Sequence, residues 1–392
     1  MPNIKRGMMG AAGAGGAVGY QLWAWGEGEE GKGGWGDASA KNSPVQIGSE
    51  EYWLGRDPDD ANSIKQSIME SHCLTVTNAG ALFAWGNDGA GRLGDGSTTN
   101  TSSPVQIGSL TNWDNVGASE RTSAAVKTDG TLWTWGDGIN GLLGTDSATD
   151  ISSPAQVGSL TDWDIVPAGY HTMYSVKTNG TLWAWGKNTY GQIGDGSTTT
   201  RSSPVQIGSL TTWKNVAAGV GSCAAIKTDG TLWVWGQNGV GQLGTSNTTN
   251  YSSPVQVGSA TNWAQVSYHL GRASPEFGGW MAVTTDGTLF GTGTQTYAYG
   301  PATGEIGVGD TTTYSVPQQV GSLTDWKNVS CGNASTLAIK TDGTLWTWGR
   351  GYYGLNAQGN NNYYSSPVQI GSDTAWVQIG QSGKNTKFAM RT

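Results

Sequence analysis

One short segment recurs seven times along the chain: Leu-Trp-x-Trp-Gly or a close relative, beginning at Leu22, Leu82, Leu132, Leu182, Leu232, Leu289 and Leu345. The spacings are 60, 50, 50, 50, 57 and 56 residues, and a proline follows each copy, at Pro44, Pro104, Pro154, Pro204, Pro254, Pro317 and Pro367. A unit this short cannot bury its apolar face alone, so the copies must stack. The units are not helical. Charged residues make up 13% of the chain and Gly contributes 63 of 392 residues, which leaves little material for amphipathic helices with charged outer faces. A period near 50, with turn signals between short apolar runs, predicts the blade of a β-propeller.

Each unit reads as four strands. In the copy around Leu182 these are strand A from Trp163 to Ala168, B from Met173 to Thr178, C from Leu182 to Trp185 and D from Val205 to Ile207. Between B and C stands Thr-Asp-Gly or Thr-Asn-Gly, as in Thr128-Asp129-Gly130 and Thr178-Asn179-Gly180, whose last two residues tolerate the positive φ of a tight hairpin. Alternation along strand C puts Trp183 and Trp185 on one face, with Leu182 and Ala184 on the other. Blade-on-blade packing accounts for both faces, and the tryptophans read as core.

Counting also closes the ring. Residues 388–392 (FAMRT) fall at a strand B position and 21–26 at a strand C position, so one blade takes two strands from each end of the sequence. That pairing removes two sheet edges. The expected fold is all-β: a single seven-bladed propeller of four-stranded blades over 20–392, with 1–19 left as a Gly/Ala-rich tail.

The stretch Asp229-Gly230-Thr231-Leu232-Trp233-Val234-Trp235-Gly236-Gln237-Asn238, followed by Gly241-Gln242-Leu243-Gly244, resembles the core of the regulator of chromosome condensation repeat family. The resemblance runs over 20–392 and implies a seven-bladed propeller. The family includes guanine-nucleotide exchange factors, ligase-associated domains, inhibitors of β-lactamase and phage-encoded proteins, so it leaves function open. The near-identical repeats and Thr/Asn/Gly-rich loops look like the phage and bacterial members. A net charge of −8 and the lack of a basic tail argue against nucleic acid and against a chromatin-bound exchange factor.

Chemistry is sparse. His72, His171 and His269 lie in different repeats, and the first two precede strand B, where a packed, hydrogen-bonded residue is expected. Cys73, Cys223 and Cys331 are odd in number and far apart, and read as small buried hydrophobes rather than as a disulfide framework or a zinc site. The loops from Trp85 and Trp185 match neither a phosphate-binding nor a calcium-binding pattern. Glu27, Glu29 and Glu30 read as a solvated acidic run. Neither an enzyme activity, nor a metal, nor a cofactor is expected, and no apolar run is long enough for a membrane-spanning helix. Lys5-Arg6 and the Gly-rich run after it have only the outline of a signal peptide.

The departures from the repeat point to recognition. The copy around Leu289 replaces both strand C tryptophans, by Phe290 and Thr292, and carries insertions at 268–279 and 294–305. A–B and C–D loops leave a four-stranded meander at the same end, so Tyr268, His269, Arg272, Glu276, Phe277, Tyr297 and Tyr299 are expected on one face. The next C–D loop adds Tyr352, Tyr353, Tyr363 and Tyr364. Nine of 14 tyrosines fall after residue 250, and rigid amphipathic rings suit a protein, cell-surface glycan or receptor ligand. A third insertion, residues 55–71, is assigned to the same face with a short helical turn. The tail, with Ile4, Lys5, Arg6, Met8 and Met9, leaves from the opposite end and suits an anchor. Together with the resemblance, this two-ended layout implies a phage virion appendage attached to other structural subunits through its tail. The alternative is a free protein-binding module, cytoplasmic or secreted, that inhibits or regulates another protein, including by an exchange-factor-like role.

Overall fold

In the computed structural model, which describes residues 19–48, 53–54, 66–68, 71–270, 278–295, 302–380, 383 and 385–392, seven antiparallel sheets follow one another around a ring. We number the blades 1–7 from the sheet containing Leu82. Blade 2 shows the pattern: strands Trp113–Ala118, Thr122–Lys127, Leu132–Gly136 and Ile151–Gln156 pair in the order A-B-C-D. The A strands line the inside of the ring, because they bond to each other from blade to blade. Ala118 N–H donates to Ser67 Oγ of blade 1 at 2.9 Å, and Gln265 Nε2 of blade 5 donates to the Val329 carbonyl of blade 6 at 3.0 Å. The D strands form the rim. This is why a proline sits in each of them: strand D of blade 3 is Arg201–Gln206, longer and earlier than the sequence suggests, and Pro204 costs nothing on an outer edge. Strand A of that blade ends early, at Ile165, because Pro167 has no N–H for the ladder.

Packing between blades follows the two faces of strand C. Trp183 and Trp185 both meet Trp163 edge-on, at centroid distances of 5.8 and 6.3 Å, against Ala124, Val126, Leu132 and Leu142 of blade 2. Leu182 and Ala184 face blade 4. The two tryptophans are not equally buried: Trp185 is fully enclosed, whereas Trp183 is half-buried. The deep tryptophan also locks the joint, since Trp185 Nε1–H donates to the Leu142 carbonyl of the preceding blade at 2.9 Å. The same bond recurs at Trp25, Trp85, Trp135, Trp235 and Trp348. The accepting carbonyl lies in a Gly-x-x-Gly turn in five of these six joints, and there the second glycine leaves room for the indole: at Gly194 (φ +88) a Cβ would stand 2.7 Å from the Trp235 indole nitrogen, whereas the turn that accepts from Trp25 has Ala357 at that position with φ +49.

Blade 7 is closed by both ends of the sequence. Strands Trp376–Ile379 and Thr386–Arg391 are its A and B, and Gly19–Gly26 and Lys41–Gln46 are its C and D. The joint runs in register from Gln21↔Arg391 to Gly26↔Thr386. Blade 1 departs from expectation. Strand A begins at Trp53–Leu54 and resumes at Gln66–Ile68, so the third insertion interrupts the innermost strand rather than extending the A–B loop. The rest of it lies outside the described residues, as do residues 1–18.

Candidate functional site: a charged bowl at the loop end of the ring

The A–B and C–D loops gather at one end of the ring. There, the loops of blades 6, 7, 1 and 2 enclose a polar bowl of about 540 Å³. From blade 7 come Glu27, Glu29, Glu30, Lys32 and Asn385; from blade 6, Arg350 and Tyr353; from blade 1, Ser71, Asn87 and Arg92; from blade 2, Glu120 and Arg121. Four carboxylates therefore meet four cations contributed by four different blades.

The bowl has a fixed floor. Glu27 is buried, ion-paired with Lys32, and accepts Asn385 Nδ2–H at 2.9 Å. Burial opposes ionisation of Glu27, but the Lys32 ammonium and the Asn385 amide outweigh it and hold the carboxyl below its ordinary range. Arg350 donates from Nη1 to Asn385 Oδ1 at 3.2 Å and lies over the Tyr352 ring. Burial, followed by the charge on Glu27, raises the Tyr353 phenol. On the other side Arg92 is anchored through Nε to the Gly89 carbonyl and through Nη1 to Ser71 Oγ and the Glu120 carbonyl, at 2.8, 2.8 and 3.0 Å. Burial and then the nearby Arg121 guanidinium depress its pKa. Arg121 is half exposed, 3.6 Å from Glu120 and 3.3 Å from Asp137, and Glu120 also approaches His171 Nδ1 at 3.6 Å. Above this floor Glu29 and Glu30 stand exposed on the rim.

The arrangement suits ion-pair and hydrogen-bond recognition of a charged polypeptide segment. Among the described residues no group of three His, Cys, Asp or Glu side chains has metal-binding geometry. His72 and His269 are buried, and their Nε2 atoms meet Ser123 Oγ and Thr336 Oγ1 at 2.8 and 2.9 Å. Since Ser123 donates onward to the Arg92 carbonyl and Thr336 to that of Glu305, each imidazole donates from Nε2. His171 is half-buried. The three cysteines are buried and unbridged.

Of the expected loop-face residues, the structure describes Tyr268, His269, Tyr352, Tyr353, Tyr363 and Tyr364. Tyr268 belongs to strand A of blade 5 and is buried, with its hydroxyl 3.4 Å from the Gln242 carbonyl, and His269 is buried behind it. Arg272, Glu276, Phe277, Tyr297 and Tyr299 lie outside the described residues, as do the tail residues Ile4, Lys5, Arg6, Met8 and Met9. Tyr364 is half-buried at the start of strand D, where its hydroxyl meets Asn360, and Tyr363 is exposed beside it. Tyr352 and Tyr353 pack edge-on at 4.4 Å, and among the described members of this set only Tyr353 lines the bowl. The acidic run also differs from expectation: Glu27 is a buried member of an ion pair, and only Glu29 and Glu30 are solvated.

The cations of the bowl were missed by reading each loop alone. A signal was present in the variable residue after the first glycine of the turn at each joint, which is Lys32, Arg92, Leu142, Gln192, Gln242, Glu305 and Leu355 in successive copies. The two basic residues come from adjacent blades, and both line the bowl.

Comparison with known proteins agrees with this architecture. The family model of the regulator of chromosome condensation (RCC1) repeat matches residues 79–126, 129–175, 179–226 and 229–269, and a second model of that repeat matches 213–242 and 326–355. Among solved structures, human WBSCR16 superposes with a TM-score of 0.78 at 16% identity, over 95% of this chain and 99% of that one. Prp20p from Saccharomyces cerevisiae superposes with a TM-score of 0.76 at 20% identity, over 96% and 92%. At these identities the likeness is one of fold. Over shorter stretches the chain is 39% identical to the ultraviolet-B receptor UVR8 of Arabidopsis thaliana (82 residues) and 32% identical to the E3 ubiquitin-protein ligase HERC2 of Homo sapiens (93 residues). These stretches cover 20% and 23% of this chain, but only 17% and 2% of those proteins.

Proposed function

This chain belongs to the RCC1 repeat family, and from that premise we propose that it is a non-catalytic protein-binding module that regulates or inhibits a partner held at the charged bowl. The observation that carries this reading is the assembly of Arg92, Arg121, Arg350 and Lys32 with four glutamates from four successive blades. Charges arranged in this way select a partner by complementarity and fix its register. Prp20p is described by its binding to Gsp1p and histones, and a yeast RCC1 is seen bound to Kap60, which supports a protein rather than a small molecule as ligand. Nothing in these relatives points to a viral particle.

The test is a photo-crosslinking amino acid placed at Arg121, with a control at Thr178 in the B–C turn at the opposite end, in extracts of the source cells. A discrete adduct from position 121 that disappears when Glu29 and Glu30 are both changed to Lys, with melting unchanged, is the expected result. No adduct, or equal yield from position 178, overturns the proposal.

A further inference from the structure

Away from the bowl, toward the B–C turns, the blades repeat a second device. The lysine ending strand B lies between the first tryptophan of strand A and the first of strand C. Lys127 stands 4.8 and 3.7 Å from the ring centroids of Trp113 and Trp133, and Lys227 stands 4.9 and 3.5 Å from those of Trp213 and Trp233. Lys177 and Lys340 occupy the same cages in blades 3 and 6. All four lysines are at most 7% exposed.

The repeats act as internal controls for one another. In blades 3 and 6 the residue before the strand A tryptophan is an aspartate, and it reaches the lysine: Asp162 to Lys177 at 2.9 Å, Asp325 to Lys340 at 3.5 Å. In blades 2 and 4 that residue is Asn112 and Thr212. Among the described residues, neither Lys127 nor Lys227 has a hydrogen-bond acceptor or an ion-pair partner within reach; Asp129 and Asp229 in the adjoining turns act only at a distance. Burial accordingly depresses both ammonium groups.

At Lys127 the unpaired ammonium also lines a notch. The notch, of about 290 Å³, is walled by Leu110, Ile107, Trp113, Trp133 and Pro154, and Asp95 on its lining is held by the Ser97 N–H at 2.8 Å. The equivalent notch beside Trp326 has Leu323, Trp346 and Pro367 in its walls, but its already paired Lys340 is not part of the lining. Leu110 is 48% exposed.

We propose that the Lys127 notch receives an acidic side chain of a protein partner, with an adjacent apolar side chain seated against Leu110, Trp133 and Pro154. The incoming carboxylate takes the place that Asp162 fills for Lys177. It gives an ammonium seated between two indole rings the counter-charge it lacks, while the tryptophans and leucine supply the apolar contact. The site is separate from the bowl, so the two fail independently.

The probe is acetyl-Leu-Thr-Asp-amide, the sequence of Leu160–Asp162, compared with acetyl-Leu-Thr-Asn-amide. The readout is the indole N–H resonance of Trp133 in the full chain. The aspartyl peptide should shift it saturably, at least about fivefold more tightly than the asparaginyl peptide. Binding should disappear in Asn112→Asp, which supplies the carboxylate internally and should melt no lower than the parent, and in Lys127→Met. It should persist in Arg121→Glu. Absence of saturation, equal affinity for the two peptides, or undiminished binding in Asn112→Asp overturns the proposal.

Discussion

The indole N–H of Trp280 donates to the Leu243 carbonyl at 3.0 Å, closing the joint between blades 5 and 4. In the other six blades the corresponding bond runs to the carbonyl one residue earlier in the turn, the position of Gln242, from the second tryptophan of strand C. Blade 5 has Thr292 there, and Trp280, on the adjacent strand B, swings its ring into the same place and packs 5.8 Å from Trp263. The departure from the repeat is thus a structural compensation, and every joint in the ring retains its indole-to-carbonyl bond.

Trp280→Ala and Trp185→Ala should each cost about 3–5 kcal/mol, since both rings are fully buried. Trp183→Ala should cost clearly less because its ring is half-buried. Urea denaturation of the three variants checks the ranking, and equal losses would mean that the joint bond carries no special weight.

Within the acidic run, Glu27→Ala should destabilise by about 3 kcal/mol, because it strands the buried Lys32 ammonium. Glu29→Ala and Glu30→Ala, on exposed side chains, should stay within about 0.5 kcal/mol. Thermal melts of the three separate the floor of the bowl from its rim.

Two buried groups make stability depend on pH. Burial pushes the Glu305 carboxyl up to about 8, and its side chain meets only Thr303 among the described residues. A raised folded pKa means that its stabilising contribution is complete below about 4.5 and is lost as pH rises through about 8. Glu305→Gln should therefore gain on the parent across that window, by up to about 4 kcal/mol at pH 8. Burial brings Lys387, which donates to the Ser335 carbonyl at 3.0 Å, down to about 7. Its contribution is present above about 10.5 and is lost as pH falls through about 7, so Lys387→Met should gain on the parent as the medium is acidified. Denaturation of both variants at pH 5, 7 and 9 reads the two opposite slopes.

Removing residues 386–392 should abolish cooperative unfolding. Phe388, Ala389 and Met390 are buried, and their strand pairs along its length with Gly19–Gly26. Calorimetry showing an unchanged single transition would refute a load-sharing closing blade.

Seven copies of Leu-Trp-x-Trp-Gly and the count across the two ends made the ring legible, because hairpin turns and alternation are local properties. Trp280 was illegible for the opposite reason: its equivalence to a strand C tryptophan exists only once two strands are paired. Pro167 and Pro204 shifted strand ends by depriving the ladder of N–H groups, which depends on which neighbour each strand acquires. The tyrosine count was a compositional signal, and a count does not separate Tyr268, buried in strand A of blade 5, from Tyr363, exposed beside strand D of blade 6. The bowl was hidden because its charges come from loops of four blades, and a single loop does not reveal what faces it.

The side chains of Gln21 and Arg391 bond across 370 residues of sequence. During synthesis, the first complete strand of the ring must therefore wait for nearly the last one, with its edge exposed throughout translation. A chain that lacks the Thr386–Arg391 strand leaves that edge of Gly19–Gly26 bare, so the act that closes the ring also hides an edge open to association with other chains.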